Sequence, residues 1–173
     1  MIRKYFILLI PAFLIAFTFI KCRKESLVSP IPTISFLGYE KISYKGFNQD
    51  SLLFLRIHFE DGDGDIGLSI TDTAAPFRIG DRYYYNVFAS YQAGKNGNYE
   101  YLINGADTVS YNDRINNLQP ETRNKGITGT ITLKLEPIIG ALLPDSIKLN
   151  IYIVDRALNT SNTITTGAIP VSF

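Results

Sequence analysis

The sequence predicts an all-β chain: one antiparallel β-sandwich that follows an N-terminal export segment. Three observations carry this prediction. Short apolar runs alternate with polar residues at period two, the mark of strands that bury one face. Turn residues interrupt them roughly every eight to twelve positions, the spacing of a two-sheet sandwich. No window of a dozen residues combines helical periodicity with caps, and Thr, Tyr, Ile and Val dominate the regular segments. A length of 173 residues suits one domain, and a composition of 46% hydrophobic and 13% aromatic residues is rich enough to build a core.

Taken in order, residues 35–42 supply a first strand. Leu53, Leu55, Ile57 and Phe59 then alternate with Phe54, Arg56 and His58 in a second. Residues 83–91 are rich in aromatic and β-favouring side chains, so Tyr84 is expected on one face of that strand and Tyr83 and Tyr85 on the other. Gly94-Lys95-Asn96-Gly97 follows, where Asn-Gly supplies the positive φ angles of a tight hairpin, and residues 99–103 return as its partner. Asn104-Gly105 offers another turn and residues 107–111 a short strand, after which residues 112–118 read as a short helical turn. Ile131, Leu133 and Leu135 alternate with Thr130, Thr132 and Lys134; Ile147, Leu149, Ile151 and Ile153 alternate with Lys148, Asn150 and Tyr152. Glu136-Pro137, Gly140 and Pro144-Asp145 separate these two strands, the prolines lacking the amide a ladder needs. Residues 169–173 form a last strand, with Val171 and Phe173 on one face. The expected core is Leu53, Leu55, Ile57, Phe59, Leu133, Leu149, Ile151 and Ile153, in a sandwich over residues 34–173.

Ahead of the sandwich, Arg3 and Lys4 precede a stretch without charge over residues 5–20, which is the anatomy of a secretory signal. A transmembrane helix needs about 20 apolar residues, and this run contains Pro11. Cys22, the one cysteine, stands directly after it, followed by Arg23-Lys24-Glu25 and the Ser/Pro-rich run Ser26-Leu27-Val28-Ser29-Pro30-Ile31-Pro32. This order resembles a bacterial lipoprotein, with a signal over 1–21, acyl chains on Cys22 and a tether over 22–33. Lys21 stands where the usual lipobox has a small residue. An uncleaved N-terminal anchor is the alternative, and both readings put the domain outside the cytoplasm, held at a membrane.

Charge and residue inventory exclude several classes. Removing Arg3, Lys4 and Lys21 with the leader leaves 14 basic against 16 acidic side chains, without the basic footprint nucleic acid requires. A lone cysteine permits no intramolecular disulfide. His58, the single histidine, lies on an alternating strand with no cysteine or serine elbow to serve, so the chain is read as non-catalytic.

The densest cluster of chemistry is Phe59-Glu60-Asp61-Gly62-Asp63-Gly64-Asp65-Ile66-Gly67, at the end of the second strand. Three alternate carboxylates repel one another unless a cation sits among them, and the glycines let the backbone curl around one centre. Such oxygen-rich loops suit Ca²⁺. An EF-hand is rejected: Asp61, Asp63, Asp65 and Asp72 match its first, third, fifth and twelfth places, but Ile66 occupies the position of the required glycine and a strand precedes the loop. A second loop, Asp155-Arg156-Ala157-Leu158-Asn159, follows the penultimate long strand. In a sandwich both loops lie at the same end, so Asp155 completes a site begun by Asp61, Asp63 and Asp65. Two other readings stay open: a solvated acidic turn, and neutralisation of the acidic loop by the Arg156 guanidinium.

The run 61–67, the loop 155–162, and Arg114-Ile115-Asn116-Asn117-Leu118-Gln119-Pro120 ahead of Gly129-Thr130-Ile131 resemble uncharacterised lipoproteins of Bacteroidetes-type bacteria. The late loop also resembles that of immunoglobulin-like and cadherin-like modules. The resemblance implies an immunoglobulin-like sandwich and a place in the bacterial cell envelope, lipid-anchored to the outer membrane, and no activity. The expected role is a binding, adhesion or assembly module with an envelope protein or glycan as partner; the alternative is a structural subunit of a larger envelope complex.

Overall fold

The computed structural model describes residues 29–43, 46, 50–104, 107–116, 118, 126–136 and 144–172. The leader, Cys22, the turn residues Gly105, Pro137 and Gly140, and Phe173 lie outside the described residues. Ten strands follow in chain order: β1 Thr33–Ser43, β2 Asp50–Asp61, β3 Val87–Lys95, β4 Asn98–Tyr101, β5 Ile103–Asn104, β6 Asp107–Thr108, β7 Ile127–Leu135, β8 Ser146–Ile153, β9 Ile164–Thr165 and β10 Ile169–Pro170. The described residues contain no helix.

One sheet has the order β1-β2-β7 and the other β10-β8-β3-β4, with β9 beside β8 and β5-β6 forming a separate small pair. All strand pairings are antiparallel. Consecutive strands pair in β1-β2, β3-β4 and β8-β9, whereas β2-β7 and β3-β8 join strands far apart in sequence, so the chain crosses between the two sheets of the sandwich.

The period-two pattern explains why these segments pair as they do. Leu53, Leu55, Ile57 and Phe59 of β2 lie opposite Leu135, Leu133, Ile131 and Gly129 of β7, and all but the glycine are buried. Gly129 is there because a Cβ would stand 3.0 Å from the Phe59 ring. On the facing sheet, Ile147, Leu149, Ile151 and Ile153 of β8 meet Ala93, Tyr91, Ala89 and Val87 of β3. These two apolar faces form one cluster, to which β1 adds Ile34 and β10 adds Ile169. Each fully buried Leu or Ile contributes about 1.5–3 kcal/mol, so the expected core residues carry the fold. Tyr91 packs edge-on against Tyr111 at 5.9 Å, and burial pushes its hydroxyl up to about 12.

The structure corrects three expectations. Residues 83–86 are not strand, so Tyr83, Tyr84 and Tyr85 do not alternate across a sheet. The buried Asn86 stops the strand there by exchanging hydrogen bonds with the Ile115 backbone, donating to its carbonyl at 3.3 Å and accepting from its N–H at 2.6 Å. Residues 112–116 are extended rather than helical, because Asp113 trades backbone hydrogen bonds with Val87 and Tyr111 N–H donates to the Ala89 carbonyl at 2.8 Å. The last strand is only Ile169–Pro170, and Val171 N–H extends its pairing beside β8 by one bond, to the Asp145 carbonyl at 3.0 Å.

Candidate metal centre

The connection from β2 to β3 crosses between the sheets at the end where β8 runs into the 154–163 loop. Topology therefore delivers both acidic segments to one place. One carboxylate oxygen from each of Asp61, Asp63, Asp65 and Asp155 lies within 4.8 Å of the other three. The loop can curl this tightly because Gly64 and Gly67 adopt φ of 73° and 96°, the left-handed region that glycine enters without strain.

Asp61 and Asp155 are buried, at 1% and 2% exposure, and Asp63 and Asp65 are half-buried. Asp61 Oδ2 accepts the Ile66 N–H at 3.1 Å, which holds the loop against the strand end. Its Oδ1 accepts nothing, nor do the buried Oδ1 atoms of Asp63 and Asp65. Unpartnered buried carboxylate oxygens are rare, because each forfeits its hydration without return. Asp155 is oriented by its own loop: Asn159 donates its backbone N–H to Oδ1 at 2.7 Å and its side-chain amide to Oδ2 at 2.9 Å.

Electrostatics records the same crowding. Burial first, then the neighbouring Asp63 carboxyl and the charges of Asp63 and Asp65, raises Asp61 from 3.8 to about 7. Burial and the charges of Asp155 and Asp63 raise Asp65 to about 6, against the pull of the Arg156 and Ala157 backbone N–H groups. Asp155 is also raised, by burial and then by Asp63, although the two Asn159 hydrogen bonds oppose this. At neutral pH, several negative charges compete for a space that suits them only with a cation present.

Arg156 does not supply that cation. Its guanidinium forms a bidentate pair with Asp72, Nη1 to Oδ2 and Nη2 to Oδ1 at 3.1 Å. Burial works against ionised Asp72, but this hydrogen bond, the Ser69 N–H and the Arg156 and Arg114 charges hold its carboxyl below the usual value. Among the described residues, no lysine, arginine or histidine pairs with the four clustered aspartates. Asp72 stands outside the cluster, in keeping with the rejected EF-hand register. His58 interacts with Glu60 Oε1 at 3.4 Å on the outer face of β2.

Two elements of the site carry weaker sequence signals. Asn159, four residues after Asp155, is the clamp that aims it. Arg114 is the hub of the β2–β3 connection: it donates to the carbonyls of Ser69, Asp72, Phe77 and Tyr84 at 2.9, 3.0, 3.4 and 2.7 Å, and its guanidinium lies 5.1 Å from the Tyr84 ring centre. Cys22, the expected lipid attachment residue, lies outside the described residues.

Comparison with protein-family models, with curated proteins and with solved structures finds no match. Fold and site alone define the class: a small antiparallel β-sandwich with four converging carboxylates at one end. That donor set, all oxygen and highly charged, is the kind hard divalent cations prefer over zinc or copper.

Proposed function

We propose that this chain is a non-catalytic, Ca²⁺-stabilised binding module of the bacterial cell envelope, with adhesion or assembly as its task and lipid on Cys22 as its anchor. The observation that carries the ion is the buried Asp61 Oδ1, left without a partner among three further carboxylates. Calcium is favoured over magnesium because four carboxylates on two loops suit a larger ion of flexible coordination, whereas Mg²⁺ demands near-ideal octahedral geometry and keeps its waters. The anchor is supported by the position of Cys22 after the uncharged run and by the lack of a second cysteine to pair with.

Titration calorimetry of the full chain with CaCl₂ tests the ion: saturable heat with a stoichiometry near one supports it. No heat in millimolar calcium, with superimposable melts in calcium and in chelator, would reduce the cluster to an acidic turn. Mass spectrometry of the mature N-terminus tests the anchor separately, through the acyl mass on Cys22. A pull-down from solubilised envelope then separates a ligand-binding module from a stoichiometric subunit of a complex.

A further inference from the structure

We propose that the end of the sandwich carrying the ion site also docks on the bilayer, with Ile70 and Ile79 entering the lipid headgroup layer. This rests on the reading that the chain is anchored near Cys22.

Ile70 and Ile79 are 91% and 78% exposed, the two most exposed large apolar side chains among the described residues. Both belong to the β2–β3 connection, and together with Phe77 and Tyr84 they line a cavity of about 380 Å³. Exposed isoleucines clustered in one patch mark an interaction surface, whereas scattered ones need no explanation. The patch is also built: the four carbonyls that Arg114 engages hold the connection in shape from 69 to 84.

The chemistry around the patch fits lipid. Arg78 has a 65% exposed side chain whose pairing with Asp81 is a surface contact, readily exchanged for a phosphate. Arg82 is exposed, with its guanidinium 5.4 Å from the Tyr83 ring centre, and Tyr85 is 39% exposed. Apolar tips flanked by arginine and tyrosine are the composition that settles at a membrane interface. Asp72 and Asp81, the acidic side chains of the connection beyond the cluster, face Arg156 and Arg78.

The path of the chain decides the occupant. Gly62 N–H donates to the Ser29 carbonyl at 3.1 Å and the Asn159 side-chain amide to the Pro30 carbonyl at 3.4 Å. The segment leading back toward Cys22 therefore leaves the domain beside the ion site, and Asp72 and Arg156 link that site to the patch. Seven residue steps separate Cys22 from Ser29, a reach of at most about 25 Å. The twelve residues of β2 span about 40 Å. The tether is shorter than the domain, so the end bearing Ile70 and Ile79, and not the β3–β4 hairpin end, is held beside the bilayer.

The full acylated chain, purified from membranes and reconstituted into vesicles of phosphatidylethanolamine with a minority of phosphatidylglycerol, tests this. Acylation blocks Cys22, so Ile79→Cys and Ile70→Cys each offer one thiol for an environment-sensitive fluorophore, and Asn98→Cys reports on the opposite end. Labels at 79 and 70 should shift to the blue and be quenched severalfold more than the label at 98 by lipids brominated near the headgroups. If the chain floats with the vesicles while labels at 70 and 79 behave like that at 98, the docking is wrong and the anchor stands. If the chain does not float, the anchor reading falls and this inference with it. Labels in water on vesicles but shielded in native envelope membranes would assign the patch to a protein partner and overturn lipid as its occupant.

Discussion

Strand β2 begins and ends on a buried aspartate, and the two ends solve the same problem differently. Asp50, 7% exposed, accepts from Lys41 Nζ at 3.0 Å and from the Ser172 N–H at 2.9 Å on one oxygen, and from the Ser43 hydroxyl at 3.4 Å on the other. Asp61, 1% exposed, has one backbone N–H on Oδ2, nothing on Oδ1, and three further carboxylates as neighbours. Burial of a carboxylate is therefore not in itself a functional signal. The signal is a missing counter-charge: the Asp50 end is closed by its own lysine, whereas among the described residues no cationic side chain pairs with the four aspartates at the Asp61 end.

The largest expected effect breaks this symmetry from outside. Calcium at a hundredfold excess over its Kd, binding the folded form alone, stabilises it by about 2.7 kcal/mol. For a domain of this size that raises Tm by roughly 10 °C. Asp63→Asn should blunt the rise while leaving the calcium-free protein as stable or more so, because it removes one member of a repelling group. Differential scanning calorimetry in calcium and in chelator reads both quantities, and a full calcium response in Asp63→Asn would remove Asp63 from the ligand set.

The closed end should behave in the opposite sense. Lys41→Met keeps the apolar stem but strands Asp50 without its cation, at a cost of about 2 kcal/mol in chemical denaturation. That is below the roughly 3–5 kcal/mol of a fully buried pair, since Lys41 keeps 29% of its side chain exposed. Calcium should restore none of it. Asp61→Asn in chelator should cost far less, or stabilise; equal losses in the two variants would erase the distinction between the ends.

Acidity sharpens the comparison with a smaller effect. Asp61 and Asp65 titrate near 7 and 6 in the folded chain against 3.8 as ordinary carboxyls, so between about pH 4 and pH 7 the folded state holds protons that the unfolded state has released. The resulting stabilisation is complete at the acid end of that window and is lost as pH rises through 6 and 7. Calcium-free protein should accordingly melt at a higher temperature near pH 5 than near pH 8. Saturating calcium displaces those protons and should flatten or invert the trend. A calcium-free Tm that rises from pH 5 to pH 8 would contradict the repulsion.

How much of this was legible in the sequence depends on how local each interaction is. Leu53 to Phe59, Ile131 to Leu135 and Ile147 to Ile153 were legible because one-sided burial writes period two into the chain. Asp61, Asp63 and Asp65 were legible as neighbours, and Asp155 joined them only through the sandwich rule that brings the two loops to one end. Tyr83 to Tyr85 misled because strand propensity is weaker than tertiary bonding, here that of Asn86 and Arg114. The role of Arg114 was not legible: it binds backbone carbonyls 30 to 45 residues away, and a carbonyl has no letter of its own. Arg156 was legible as a cation, but its choice of Asp72 over the acidic run was decided by the fold of the connection.

The smallest expected effect asks whether the clamp on Asp155 belongs to the ion site or only to the turn. Asn159→Ala keeps the backbone N–H to Asp155 Oδ1 and removes the amide's bonds to Oδ2 and, at 3.4 Å, to the Pro30 carbonyl, so the calcium-free protein should lose about 1–2 kcal/mol, the net worth of one strong and one weak hydrogen bond. Its consequence for the ion is larger in proportion. Groups that orient a metal-binding side chain typically change affinity by roughly ten- to a hundredfold when removed. The calcium Kd of Asn159→Ala, read by titration calorimetry, should weaken within that range while the stoichiometry stays at one. Asn159→Asp gives the opposing arm: it replaces a donor with a fifth carboxylate beside Asp155, so it should destabilise the calcium-free protein more than alanine does and steepen its loss of stability with rising pH. If Asn159→Ala leaves the Kd unchanged and lowers only the calcium-free Tm, Asp155 is held for the turn's sake and the ion rests on the β2 loop alone.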